Sequence, residues 1–157
     1  MVSDDVLIRR ARLEDVETLI RFSAAMAWET EQRTLDPGRL RQGTLAVFDQ
    51  AERGMFYVAE HRPTLMVVGQ CLITYEWSDW RNAQFWWIQS VYVDPQWRRR
   101  GVYRRLHDTI RQQAEATPGV CGIRLYVEQG NSVAQRTYEA VNLHRAKYEI
   151  WEVDFVL

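Results

Sequence analysis

The chain has 157 residues, of which 46% are hydrophobic, 26% charged and 12% aromatic. This composition excludes a disordered or fibrous protein, and the length suits one domain spanning 1–157 that buries roughly 70% of its surface. A net charge of −1 gives no general attraction to nucleic acid or anionic lipid, and apolar runs such as residues 85–88 are far too short to span a bilayer.

Residues 6–10 read as a first strand. Leu13, Val16, Leu19, Ile20, Ala24 and Ala27 then share one helical face. Asp36-Pro37 is an N-cap followed by proline at the first helical position, with Leu40, Val47 and Phe48 on the apolar side of this second helix. Residues 55–60 read as a strand, Arg62-Pro63-Thr64 as a turn, and 65–77 as a long strand broken by 78–82. Residues 85–93 are strongly β-prone, with a core residue expected among Trp86 and Trp87, and the run ends at Asp94-Pro95. Val102, Leu106, Ile110 and Ala114 form the buried stripe of a helix over 102–116, stopped by Pro118-Gly119; His107 is expected on its exposed side. Residues 123–127 make a strand. Ser132 with Gln135 makes a capping box opening a short helix to about Ala140. Apolar residues on both faces of 148–155 predict a final covered strand. Short turns join three consecutive strands, so the expected fold is α/β with a mixed, mostly antiparallel sheet flanked by about four helices. No repeat or linker interrupts it.

Cys71 and Cys121 stand fifty residues apart, too few and too far apart for a disulfide scaffold or a zinc site. They read as reduced core thiols. His61, His107 and His144 show no metal spacing, so no metal is expected. The opening Met-Val-Ser-Asp-Asp lacks a basic end followed by an apolar stretch, and a cytoplasmic location is the expectation.

Charge is distributed unevenly. Between Asp94 and Arg111 six arginines face two aspartates, a local +4 in a nearly neutral chain. Within this stretch a strand runs into a basic loop with one glycine, Arg98-Arg99-Arg100-Gly101, which opens directly into a helix. The first backbone N–H groups of a helix are unpaired and carry positive partial charge. Gly101 has no Cβ to keep a ligand from the backbone, and arginines add charge-assisted bonds. Together they suit a pyrophosphate. The chain has neither Gly-x-x-x-x-Gly-Lys-Ser/Thr nor Gly-x-Gly-x-x-Gly, so a P-loop or dinucleotide fold is not expected.

This arrangement resembles the GNAT superfamily of N-acetyltransferases over nearly the whole chain. The family pattern Gln/Arg-x-x-Gly-x-Gly/Ala reads here Arg98-Arg99-Arg100-Gly101-Val102-Tyr103, with Tyr103 in place of the last small residue. The family's second region, a strand end, an Asn and a short helix carrying a Tyr, reads here Tyr126 to Val141 with Asn131 and Tyr138. Asn142-Leu143 stands where the family often has Gly-Phe. A bacterial subgroup with similar Trp-Glu-Thr-Glu and Glu-Trp-Ser-Asp-Trp-Arg segments looks closer still.

The resemblance implies acetyl-coenzyme A as the acetyl donor. Val91, Tyr92 and Val93 would pair with the pantetheine arm through main chain. The N–H groups of Arg98, Arg99, Arg100, Gly101, Val102 and Tyr103 would hold the pyrophosphate, with Arg98, Arg99, Arg100 or Arg104 reaching the 3′-phosphate. Asn131 would bond the pantetheine amide, and Ala134 would also contact the coenzyme. Tyr138 would sit beside the sulfur as general acid, and an N–H near Val91 would stabilise the oxyanion. Glu76, Glu29, Glu31 or a water chain are candidates for the base. Trp28, Trp77 and Trp80 lie in the same segments as these carboxylates and suggest an aromatic wall for a cationic amine, small molecule or peptide.

Two rival readings remain. A non-catalytic acetyl-coenzyme A sensor would keep Gly101 and the arginines and have no use for Tyr138. A nucleic-acid binder using Arg98 to Arg105 with Trp97 calls for a broader basic face than the net charge offers. The aromatics near the C-terminus would allow a homodimer without demanding one.

Overall fold

The computed structural model describes residues 5–156, which divide into two compact units, one up to Tyr126 and one from Val127. The first unit holds a five-stranded sheet in the order β1-β2-β3-β4-β5. β1 is Val6–Arg10, β2 Met55–His61, β3 Met66–Ser78, β4 Ala83–Val93 and β5 Val120–Arg124. Tight turns join β2 to β3 and β3 to β4, and these pairs are antiparallel, as is β1 with β2 (Ile8↔Ala59, Tyr57↔Cys71, Trp77↔Gln84). The helix α3, Val102–Ala116, carries the chain back across the sheet, so β4 and β5 run parallel (Trp86↔Ile123).

β2 shows why the sheet needs cover on both faces. Met55, Tyr57 and Ala59 alternate with Phe56 and Val58, and all five are buried. The first set meets Val102, Leu106, Ile110 and Ala114 of α3, together with Val68, Cys71, Ile73, Trp86 and Ile88. The second set meets Leu19 of α1, Val16–Glu31, and Val47 and Phe48 of α2, Pro37–Asp49. α2 starts as expected, with the Asp36 side chain accepting from the Arg39 N–H and Pro37 at the first position. On α1 the buried face is Val16, Leu19, Phe22, Ser23 and Ala27; Leu13 falls in a short 3₁₀ turn before the helix and is exposed, as is Ala24.

His107 is buried rather than exposed, at 2% of its surface. Successive helical residues turn by about 100°, so position 107 lies within about 60° of Ile110 and belongs to the covered face, which is wider than the four-residue stripe. Burial lowers its pKa, although Asp108 pulls the other way.

One charged cluster is built into this unit. The Arg9 guanidinium donates to Asp15 at 2.8 Å and to Glu60 at 2.6 Å, and Asp15 also accepts from the Arg12 N–H at 2.7 Å. Burial raises the Asp15 pKa, but the bonds from Arg9 and Arg12 outweigh it and hold the carboxyl below its ordinary value of 3.8. The unfolded chain therefore takes up this proton first on acidification. The pair's stabilisation is complete above about pH 5 and is lost as pH falls through the lowered folded value. Asp15→Ala is expected to cost toward the lower end of roughly 3–5 kcal/mol, since Glu60 still pairs Arg9. Thermal melts at pH 7 and pH 3 check this: the variant melts well below the parent at pH 7, and the gap narrows in acid.

The second unit contains α4, Ser132–Glu139, and no strand among its described residues. The expected strand at 148–155 does not form, and Tyr148, Ile150, Trp151, Val153 and Phe155 are exposed. Alternation identifies the faces of a strand, but a strand exists only with a hydrogen-bonded neighbour, which this segment lacks. The expected strand at 123–127 lies three residues earlier. Its ladder begins where the Gln84 N–H meets the Gly119 carbonyl at 2.7 Å and stops at Trp87↔Arg124. The expected capping box also differs. Asn131, not Ser132, caps α4, its Oδ1 accepting from the Ala134 N–H at 3.0 Å, while the Gln135 side chain donates to the Gln129 carbonyl.

Candidate active site

The central feature is where β4 loses its partner. β5 pairs with β4 only as far as Trp87, yet β4 runs on to Val93. Among the described residues, 88–93 therefore present main chain on that side without a ladder neighbour. Along the same stretch β4 carries one extra residue. Gln89 pairs with Leu72 and Tyr92 with Gln70, so Ser90 and Val91 together oppose Cys71. Ser90 takes φ of 49°, a left-handed backbone that its neighbours must hold in place. Gln70 does so, its side-chain amide donating to the Ser90 carbonyl at 3.1 Å and to Ser23 Oγ at 3.0 Å. Sequence reasoning passed over Gln70; the signal was one amide amid the apolar residues of β3.

The basic loop follows. Asp94 accepts from the Gln96 N–H and caps a 3₁₀ turn, Pro95–Trp97. Arg99 (φ 60°) and Gly101 (φ 75°) are both left-handed, and Gly101 is the N-cap of α3. These two reversals turn the chain sharply into the helix, whose first N–H groups lack intrahelical acceptors. Tyr103, the second residue of α3, is half-buried with its ring 6.2 Å from that of His107.

The loop's arginines differ in use. Arg98 donates from Nε to the Val93 carbonyl at 2.9 Å and from Nη2 to Glu29 Oε2 at 2.6 Å, and its guanidinium lies over the Tyr92 ring. Arg100 lies over Trp97, whose ring is 4.6 Å from that of His61. Arg98 is thus a brace between α1, the end of β4 and the loop.

Glu29 completes this brace, accepting from the Tyr92 hydroxyl at 2.7 Å. Burial and then the facing Glu29 carboxylate push the Tyr92 hydroxyl up to about 12. Burial raises the Glu29 pKa, but Tyr92 and Arg98 outweigh it and lower it overall. A residue expected on the acceptor side therefore touches two expected on the coenzyme side. Glu31 is exposed, with Arg33 at 3.9 Å.

Glu76 lies elsewhere. Its carboxylate accepts from Arg124, whose guanidinium stacks over Phe85. Trp77 pairs with Gln84 near the β3–β4 turn, and Trp80 lies in that turn. Eight residues of β4 separate Gln84 from Tyr92, roughly 25 Å at strand spacing. Glu29 meets Tyr92, so its end of α1 and the Trp77–Trp80 turn lie toward opposite ends of β4. The rings of Trp28, Trp77 and Trp80 are all exposed, Trp80 at 85%.

In the second unit, α4 places Ala134 and Tyr138 one above the other at an i, i+4 spacing. The Tyr138 carbonyl accepts from the N–H groups of Val141 and Leu143, fixing the end of the helix. Among the described residues no three His, Cys, Asp or Glu side chains gather as metal ligands, and no helix is long and apolar enough to cross a membrane.

The fold is shared widely among solved structures. A possible acetyltransferase from Clostridium difficile 630 is 38% identical, with a TM-score of 0.89 over 98% of this chain and 100% of that one. An aminoglycoside acetyltransferase from an uncultured soil metagenomic sample is 17% identical (TM-score 0.76, covering 100% and 99%). The glucosamine-6-phosphate N-acetyltransferase of Arabidopsis thaliana is 14% identical (TM-score 0.72, covering 94% and 97%). At these last two identities the likeness is one of fold. No match was found among curated proteins. Residues 14–142 match the acetyltransferase (GNAT) family, and with a five-stranded mixed sheet and four helices in its arrangement, the chain belongs to that family of acetyltransferases.

Proposed function

We propose that the chain transfers an acetyl group from acetyl-coenzyme A to a primary amine by direct attack in a ternary complex. The observation that carries this reading is the unpartnered edge of β4 running into the left-handed turn at Gly101. An extended pantetheine arm can pair with Val91, Tyr92 and Val93 there, as an added strand end would. The pyrophosphate then meets the N–H groups from Arg98 to Tyr103 at the start of α3. One or more of Arg98, Arg99, Arg100 and Arg104 reaches the 3′-phosphate, Arg98 from its place beside Glu29 and the Val93 carbonyl. Asn131 uses its side-chain carbonyl as a cap, which leaves its NH₂ group as the donor for the pantetheine amide.

In the reaction the amine nitrogen bonds to the thioester carbon and the carbon–sulfur bond breaks. The Val91 N–H polarises the carbonyl, Tyr138 gives its proton to the departing sulfur, and a carboxylate or a water takes the proton from nitrogen. Glu76 pairs with Phe85, six residues along β4 from Val91 and roughly 20 Å away at strand spacing, so it can serve as that base only through a chain of waters. A small-molecule amine is the favoured acceptor, in keeping with the two sugar-amine acetyltransferases that share the fold.

The test is calorimetric titration with acetyl-coenzyme A beside its dephospho form, followed by a panel of amines read by thiol release. Micromolar binding that weakens without the 3′-phosphate, with amine-dependent release, supports the reading. Absence of binding overturns it.

A further inference from the structure

Gln70 is fully buried in the middle of β3, between Val68 and Cys71, where an aliphatic side chain would suit the core. Its carbonyl Oε1 has no hydrogen-bond partner. A buried acceptor left unpaired costs about 1–3 kcal/mol, so this amide is a poor choice for stability alone. Both of its observed bonds come from the NH₂ group, one to Ser23 on α1 and one to the Ser90 carbonyl.

The Ser90 carbonyl belongs to the same peptide unit as the Val91 N–H. A trans peptide is planar, with its C=O and N–H pointing in opposite senses. Whatever fixes the Ser90 oxygen therefore fixes the Val91 N–H, aimed away from the Gln70 amide. Here the peptide lies in the bulge, beside a left-handed Ser90 that needs external support. We propose that Gln70, steadied by Ser23, is a positioning residue that sets the direction of the Val91 N–H and so its grip on the acetyl carbonyl. The inference rests on the reading above, in which that N–H meets the thioester. The coenzyme's phosphates and adenine lie outside its reach.

The test uses Gln70→Met, which keeps length and volume without the amide. In a ¹⁵N-labelled sample of the free protein, the Val91 amide resonance is expected to move more than those of Tyr92 and Val93. In turnover, kcat is expected to fall about 10²-fold, the loss typical of one oxyanion donor. The advantage of acetyl-coenzyme A over coenzyme A in binding is expected to shrink, while coenzyme A itself binds within about threefold of the parent. A merely structural role would lower both affinities together. Ser23→Ala, which leaves the Gln70–Ser90 bond in place, gives the same pattern at smaller size and serves if Gln70→Met does not fold. An unmoved Val91 resonance, or a parallel loss of both affinities, overturns the proposal while leaving the acetyltransferase reading intact. A parent protein that binds no acetyl-coenzyme A overturns both.

Discussion

Gly101→Glu is expected to abolish acetyl-coenzyme A binding, with a loss of at least about 100-fold by calorimetry. Two effects add. Gly101 holds φ of 75°, and a residue with a Cβ is disfavoured there by roughly 1–2 kcal/mol. The new carboxylate also stands at the N-cap of α3, where the proposed ligand brings its own negative charge. Like charges about 4 Å apart repel by about 4 kcal/mol at the effective dielectric of a protein surface. Gly101→Ala separates the two, since it carries only the strain and is expected to lose roughly 5–30-fold. An unchanged affinity for Gly101→Glu would remove the loop from the coenzyme site.

Tyr138→Phe is expected to act on the other half of the reaction. It removes one hydroxyl and keeps the ring, so α4 and its Asn131 cap are retained. Loss of a positioned general acid typically lowers the rate by about 10²–10⁴, and kcat should fall in that range with coenzyme affinity held within a few fold. Steady-state thiol release beside calorimetry reads both quantities. Equal kcat in the variant assigns the proton on sulfur to another group.

The two expectations draw on sequence features of different legibility. α3 was readable to the residue, because a four-residue apolar stripe and Pro118-Gly119 mark it from within. β3 and β4 were readable within two residues, since β-branched and aromatic runs announce them. The strand expected at 148–155 shows the limit: alternation is a property of the segment, and pairing is a property of two. His107 shows another, because the width of a buried helix face depends on what packs against it.

The site divides in the same way. The loop around Gly101 could be read locally, since its strand, arginines, glycine and helix are consecutive. The brace could not. Glu29 meets Tyr92 and Arg98 across 63 and 69 residues of chain, and nothing near residue 29 in sequence specifies either partner. The aromatic wall expected from Trp28, Trp77 and Trp80 illustrates the converse. Trp28 and Trp77 occur in similar acidic contexts, but Trp28 lies on α1 beside Glu29, which meets Tyr92, whereas Trp77 pairs with Gln84 at the other end of β4.

Burial of Cys71, with its thiol pushed upward, has a practical consequence for measuring turnover. Disulfide reagents that detect released coenzyme A react with thiolate, and a thiol sealed in the core stays silent on the timescale of an assay. The chain has two cysteines, and only the half-buried Cys121 is placed to respond. The native protein should therefore contribute at most one equivalent to the colour, rising to two in denaturant. In the folded protein, signal beyond the first equivalent counts product; in a control without acetyl donor, a second equivalent reports unfolding.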